Sequence, residues 1–270
     1  MTRLLRSSMP EIRRAVVVHA HPDDETLSSG ALLAAWARSG VQVTVVTCTR
    51  GERGEVVPGT ARGSALSAQR IGEIRTALAV LSGDGVPIAH VFLGSPPARV
   101  QGQGPRNYKD SGMRWVKPGV AGPADEADED SFTSAPRDEA TADLVALLAE
   151  VRPDVVVGYD AGGTYGHPDH VRAYEITRDA ARIAGVQRLE IVSDVAPDDR
   201  AAGDMHVDDA RRDAGASREG DFVDLPELLP VVTAALECYH TQLTVRDGVI
   251  VHVGGQVQEI STHVRLVAAE

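Results

Sequence analysis

The sequence predicts an α/β fold: a mostly parallel sheet with helices on both faces, plus a small C-terminal hairpin extension. Three observations carry this. Short, nearly unbroken valine-rich runs recur, the mark of strands buried on both faces. Longer segments with apolar residues at helical spacing lie between them, giving a strand–helix–strand rhythm. Late in the chain, Asp247-Gly248 separates two alternating runs, which is the chemistry of a tight hairpin turn.

The elements follow in order. Residues 1–14 are basic but lack the apolar stretch and cleavage site of a secretion signal, and read as a flexible leader. Residues 15–19 (AVVVH) form a strand, 27–39 a helix ended by Gly40, and 41–48 (VQVTVVTC) a second strand. Residues 64–82 place Leu66, Ile71, Ile74, Leu78 and Leu81 at helical spacing. Strands at 88–93 and 154–159 (DVVVGY) flank a helix at 138–151, closed by Arg152-Pro153. Pro168 opens a helix over 168–184, at a position where its missing N–H costs nothing. Residues 188–192 form a fifth strand, so an alternating strand–helix core spans 15–193. Residues 94–131 break the rhythm, and 117–131 reads as a solvated loop. Residues 194–224 have the polar composition of a disordered loop. Residues 225–270 supply a helix at 226–240 and a hairpin (242–246 with 249–253) packed on the core.

Composition narrows the function. Hydrophobic residues make up 43% of the 270, enough for a core, and aromatics only 4%, so that core is aliphatic. A net charge of −12 argues against nucleic acid or an anionic membrane as partner. It leaves a small-molecule substrate open, because the charge within a cleft can differ from the total. Cys48 and Cys238 make neither a disulfide framework nor a cysteine zinc site. Cys48, in a Val/Thr-rich strand, reads as a small buried hydrophobe. No run of 18 apolar residues is present, and the expected location is the cytoplasm.

Two polar clusters stand out. HAHPDDE (19–25) follows the first strand, and DAGGTYGHPDH (160–170) follows the fourth. In an open parallel sheet, loops behind the carboxyl ends of strands share one edge, where ligands bind. The clusters can therefore meet, offering His21, Asp23, Asp24, Tyr165, His167, Asp169 and His170. Crowded imidazoles and carboxylates are costly unless something binds them. A catalytic metal needs three N/O ligands and an open position, and His21, Asp24 and His170 are a candidate set. Asp23 is then left as a base for an activated water. His167 is a candidate acid or electrostatic stabiliser, with Asp169 to orient it and keep it protonated. Tyr165 is a candidate hydrogen-bond donor to an oxyanion. His19 faces away and reads as structural. No G-x-G-x-x-G follows the first strand, which speaks against a dinucleotide-binding oxidoreductase.

AHPDDE (20–25) with GHPDH (166–170) resembles the LmbE-like or PIG-L family of metal-dependent deacetylases. The resemblance implies a Rossmann-like fold and hydrolysis of an N-acyl group, usually N-acetyl on a glucosamine-type sugar. It also implies zinc, with Fe2+ able to substitute. Carried over by position, His21, Asp24 and His170 would be ligands and Asp23 the general base. His167 would protonate the leaving amine or stabilise the tetrahedral intermediate, tuned by Asp169, and Tyr165 would polarise the carbonyl. TCTRGERGEV (47–56), QRIGEI (69–74) and YKDSGM (108–113) look like the mycothiol-pathway branch, which acts on N-acetylglucosaminyl-inositol. That likeness would put Ser28, Arg70, Asp110 and Met113 in the sugar or inositol pocket. It is good over 15–185 and resumes weakly near YHTQLTV (239–245). The segment 194–224 departs from the branch, being shorter, poor in aromatics and rich in Asp and Arg. On that account the alternative substrates are a mycothiol S-conjugate, taken by an amidase, and a natural-product intermediate, and a few relatives are hydratases. A metal-binding protein without catalysis is disfavoured, because a binder needs neither Asp23 nor His167.

Overall fold

β1 (Arg14–His19) lies inside the main sheet, and the side chains of Ala15, Val16, Val17 and Val18 are all fully buried. The computed structural model describes residues 11–60, 62–117, 120–122, 124, 127–192 and 220–269. Four further strands run parallel to β1 or to its neighbours: β2 (Gln42–Thr47), β3 (Ala89–Phe92), β6 (Val155–Tyr159) and β7 (Gln187–Val192). Two antiparallel strands extend that sheet, β8 (Asp221–Asp224) and β12 (His263–Ala269). The spatial order is β3-β2-β1-β6-β7-β12-β8. The chain builds outward from β1 through β2 and β3, then returns to place β6 on the other side of β1. That reversal opens a crevice between the carboxyl ends of β1 and β6.

The alternation of a strand explains the layers. Val17 faces a cluster built by α1 (Asp24–Ser39), α2 (Ser64–Ser82) and α6 (Leu229–Leu236), among them Leu32, Leu33, Trp36, Ile74, Leu78 and Leu236. Val16 and Val18 face the opposite cluster, built by α3 (Arg137–Val151) and α5 (Pro168–Ala184), with Leu144, Leu147 and Ile176. Cys48 is fully buried in that second cluster, and burial pushes its thiol pKa well up.

Several expectations need correction. The segment 117–131 is not simply a solvated loop, because β4 (Arg114–Lys117) pairs with β5 (Val120–Gly122) as a small hairpin. Beyond it, Asp128 pairs with Arg53 at 2.7 Å and Asp130 with Lys109 at 3.1 Å, so these two carboxylates are held by cations from other loops. The late helix is short: a 3-10 turn (Pro226–Leu228) leads into α6, which ends at Leu236. The chain unwinds there, and Tyr239 and Thr241 turn inward. The hairpin β9 (Leu243–Arg246) and β10 (Val249–His252) turns at Asp247 and Gly248, both at positive φ, and gains a third strand, β11 (Val257–Glu259). The boundary expected at 224/225 falls where β8 already belongs to the main sheet, and β12 joins it too, so the C-terminal part is woven into the core sheet. Residues 194–219 of the expected loop lie outside the described residues.

Candidate metal and catalytic site

Both polar clusters sit at the crevice. The first begins where β1 ends, and α1 starts at Asp24, earlier than its apolar spacing suggests, so the cluster lies on the first turn. The carbonyl of Asp23 accepts from the N–H groups of Thr26 and Leu27 at 3.0 and 2.9 Å, which starts the helix. Asp23 itself has φ 106°, unusual for a residue with a side chain. Holding such a conformation costs on the order of 1–3 kcal/mol, and such strain concentrates at functional sites.

Asp24 is the hub. Its Oδ2 lies 3.2 Å from His21 Nδ1 and 3.3 Å from His170 Nε2. The same oxygen accepts the His21 N–H and the Tyr159 hydroxyl, each at 2.8 Å. Burial alone would raise the Asp24 pKa, but His170 and His21 beside it hold it well below the carboxylate range. His170 is buried, stacks on Tyr159 (centroids 4.4 Å, 11° between planes) and places Nδ1 3.3 Å from Thr164 Oγ1. Apart from that contact with Asp24, its Nε2 has no partner among the described residues. His21 is contested from both sides. Its Nε2 lies 3.0 Å from Asp169 Oδ2 and 3.7 Å from Asp110 Oδ1. Burial disfavours its charge, yet Asp110, Asp169 and Asp24 outweigh that and raise its pKa well above the imidazole value.

This donor set fits a divalent cation. A buried imidazole nitrogen that faces a carboxylate held anionic, with a second imidazole on the same carboxylate, offers the N/O ligands such an ion takes, and the ion would displace the His21 proton. The nitrogens of His21, His167 and His170 also lie within 4.8 Å of one another, as do the ligand atoms of His21, Asp110 and Asp169.

His167 and Asp169 differ from expectation. The Asp169 carboxylate does not orient His167: its Oδ2 lies on His21 and accepts the Ser111 N–H at 2.9 Å. Only the Asp169 backbone reaches His167, donating its N–H to Nδ1 at 3.1 Å and capping α5. Nor is His167 held protonated. Burial, then His21 and His170, push its pKa down to about 2. Its ring lies 4.6 Å from that of His21, centroid to centroid. Tyr165 sits in a one-turn, distorted α4 (Gly163–Gly166), 5.4 Å from the His170 ring and 5.9 Å from that of His167. Its ring is partly exposed, while desolvation and the carboxylates of Asp24, Asp23, Asp110 and Asp169 raise the pKa of its hydroxyl.

The four pocket candidates separate. Asp110 is buried and faces His21. Arg70 is buried too, but its guanidinium donates to the carbonyls of Gly51 and of Glu55 (2.8 Å), which shapes the loop after β2. A side chain at Gly51 would collide with that guanidinium. Ser28 and Met113 are half-buried, on α1 and just before β4. His19 is fully buried, 3.0 Å from Ser29 Oγ, and burial lowers its pKa to about 4, as suits a structural histidine.

Sequence reasoning missed Tyr159. A tyrosine closing a valine strand looks like core, and its one signal was its place at the carboxyl end beside the second cluster. Its hydroxyl accepts the Ala20 N–H at 3.1 Å while donating to Asp24. Tyr159→Phe is expected to weaken metal affinity by roughly 10–100-fold, the usual cost of losing a partner that orients a ligand. Equilibrium dialysis against zinc checks it.

With the geometry in view, the kinship follows from both sequence and fold. Over 174 residues the chain is 47% identical to 1D-myo-inositol 2-acetamido-2-deoxy-alpha-D-glucopyranoside deacetylase 1 of Saccharopolyspora erythraea, covering 62% of this chain and 53% of that one. The deacetylase of the same name from Actinosynnema mirum is 39% identical over 226 residues, 80% of this chain and 68% of the relative. This chain spans about half the length of the first of these relatives. In fold it is similar to a crystallised deacetylase of the teicoplanin biosynthesis pathway, with a TM-score of 0.59 at 20% identity over 95% of this chain and 99% of the other. The family model of PIG-L, GlcNAc-PI de-N-acetylase, matches residues 16–181, a stretch that holds both polar loops and the crevice between them, and the chain belongs to that family.

Proposed function

We propose that the protein is a zinc-dependent N-deacetylase acting on a glucosamine-type conjugate such as N-acetylglucosaminyl-inositol. The observation that carries this is Asp23. Burial, then Asp24 and Glu25, raise its pKa well above the carboxylate value, against the opposing pull of Arg70 and His21. A general base works best with a pKa near the working pH. Asp23 is adjacent to the ligand candidate Asp24, and in this reading it is the catalytic base rather than a ligand.

His21, Asp24 and His170 would hold the ion. A divalent cation supplies Lewis acidity, acidifying water and polarising an amide carbonyl. Asp23 takes the proton of the attacking water as the tetrahedral centre forms. Tyr165, kept protonated, donates to the oxygen that gains charge. His167 is neutral with Nδ1 occupied by the Asp169 N–H, so its proton is on Nε2 and serves as a fixed donor. With His167 neutral, the proton available to the departing amine is the one Asp23 has taken. Asp110, close to His21, would bind a sugar hydroxyl, Ser28 and Met113 would add contacts in the sugar or inositol pocket, and Arg70 would act by shaping the loop after β2.

Primary-amine release from N-acetylglucosaminyl-inositol by the zinc-loaded protein tests this. The expected result is a rate well above that on plain N-acetylglucosamine. No release at full metal occupancy would overturn the substrate and redirect the search to mycothiol S-conjugates and natural-product amides.

A further inference from the structure

Tyr239 lies outside the matched stretch 16–181, yet it is fully buried and reaches the site. Its hydroxyl donates to Oε1 of Glu25, itself fully buried, and Thr26 Oγ1 donates to the same oxygen at 2.5 Å. The other oxygen, Oε2, accepts the backbone N–H of Asp23 at 3.2 Å. That N–H belongs to the residue held at φ 106°. The segment is anchored a second time. Thr241 donates its N–H and its hydroxyl to the two oxygens of Glu73 on α2, at 2.9 and 2.7 Å. Its carbonyl accepts the Val57 N–H from the loop after β2 at 3.0 Å.

Buried carboxylates are a costly way to fasten a segment, because each must be fully hydrogen-bonded, and apolar contacts would fasten it as well or better. Here one of the two leads through a single carboxylate to the backbone of the proposed base. We propose that Tyr239 is a positioning residue: through Glu25 it fixes the Asp23 backbone in the positive-φ conformation that aims the Asp23 carboxyl at the substrate. The proposal rests on the reading of Asp23 as general base, and it makes the C-terminal segment part of the active site.

Tyr239→Phe in the full chain removes the hydroxyl and keeps the ring. The expected result is a fall in kcat of about 10–100-fold on N-acetylglucosaminyl-inositol, since small misplacements of a reacting group cost rates of that order. KM and zinc content stay within about twofold in this variant. In an Asp23→Asn background the same change costs less than about twofold, because both substitutions remove one function. Unchanged kcat, or an undiminished cost in the Asp23→Asn background, overturns the proposal. Hydrogen exchange decides it independently of activity. At unchanged melting temperature, the Asp23 amide should exchange faster in Tyr239→Phe, and unaltered exchange overturns the proposal. A wild-type protein that releases no amine overturns the functional reading instead, and exchange still decides the positioning role.

Discussion

Asp23→Asn is expected to lower kcat by about 10²–10⁴ and to leave zinc content unchanged. The size is that of a lost general base. Asparagine is the informative substitute for two reasons. It matches aspartate in shape, so contacts along the crevice persist. It also keeps the backbone N–H that Glu25 Oε2 accepts, so the contact that holds φ 106° stays in place. Alanine would confound the lost carboxylate with a backbone that relaxes. Steady-state kinetics beside metal analysis of the same preparation separates the possibilities. A kcat within tenfold of wild type places the base elsewhere. A loss of zinc along with rate would instead make Asp23 part of the metal site beside its neighbour Asp24.

The parallel core was legible because its signals are local. The valines of β1 state by their continuity that both faces are buried, and Pro168 states where α5 begins. The two polar loops could be placed together because a parallel sheet puts all its strand ends on one edge, and the structure brings His21, Asp24 and His170 within reach of one another. What stayed hidden depends on long-range pairing. β12 reads as a C-terminal run until β7 is there to pair with it, and β8 is too short to show a pattern. The orientation of the Asp169 carboxylate followed from sequence neighbourhood, which suggests His167. Helix geometry decides otherwise, because the first turn of α5 gives His167 only the backbone N–H and leaves the carboxylate to His21 and Ser111. Glu25 reads as one more acid in a motif, and only Tyr239, more than two hundred residues later, shows what it holds.

His170→Ala is expected to abolish stoichiometric zinc binding, with a loss of affinity at least as large as the roughly 10–100-fold that follows removal of a mere supporting partner. The argument starts from Asp24. His170 is the strongest influence holding that buried carboxylate anionic, and removing it weakens a second ligand along with the first. The remaining imidazole, His21, is also pulled by Asp110 and Asp169 and keeps its proton more readily than an unperturbed histidine. Thermal unfolding supplies a check that needs no substrate. An ion that binds only the folded chain stabilises it by about 2.7 kcal/mol when present at a hundred times its Kd. A chelator should therefore lower the melting temperature of the zinc-loaded wild type and leave that of His170→Ala unmoved. The loss of the ring stacked on Tyr159 lowers both His170→Ala readings equally, so it cancels in the comparison. Equal chelator shifts in the two proteins would remove His170 from the ligand set and leave His21 and His167, whose nitrogens share the same small volume, as the imidazoles to test next.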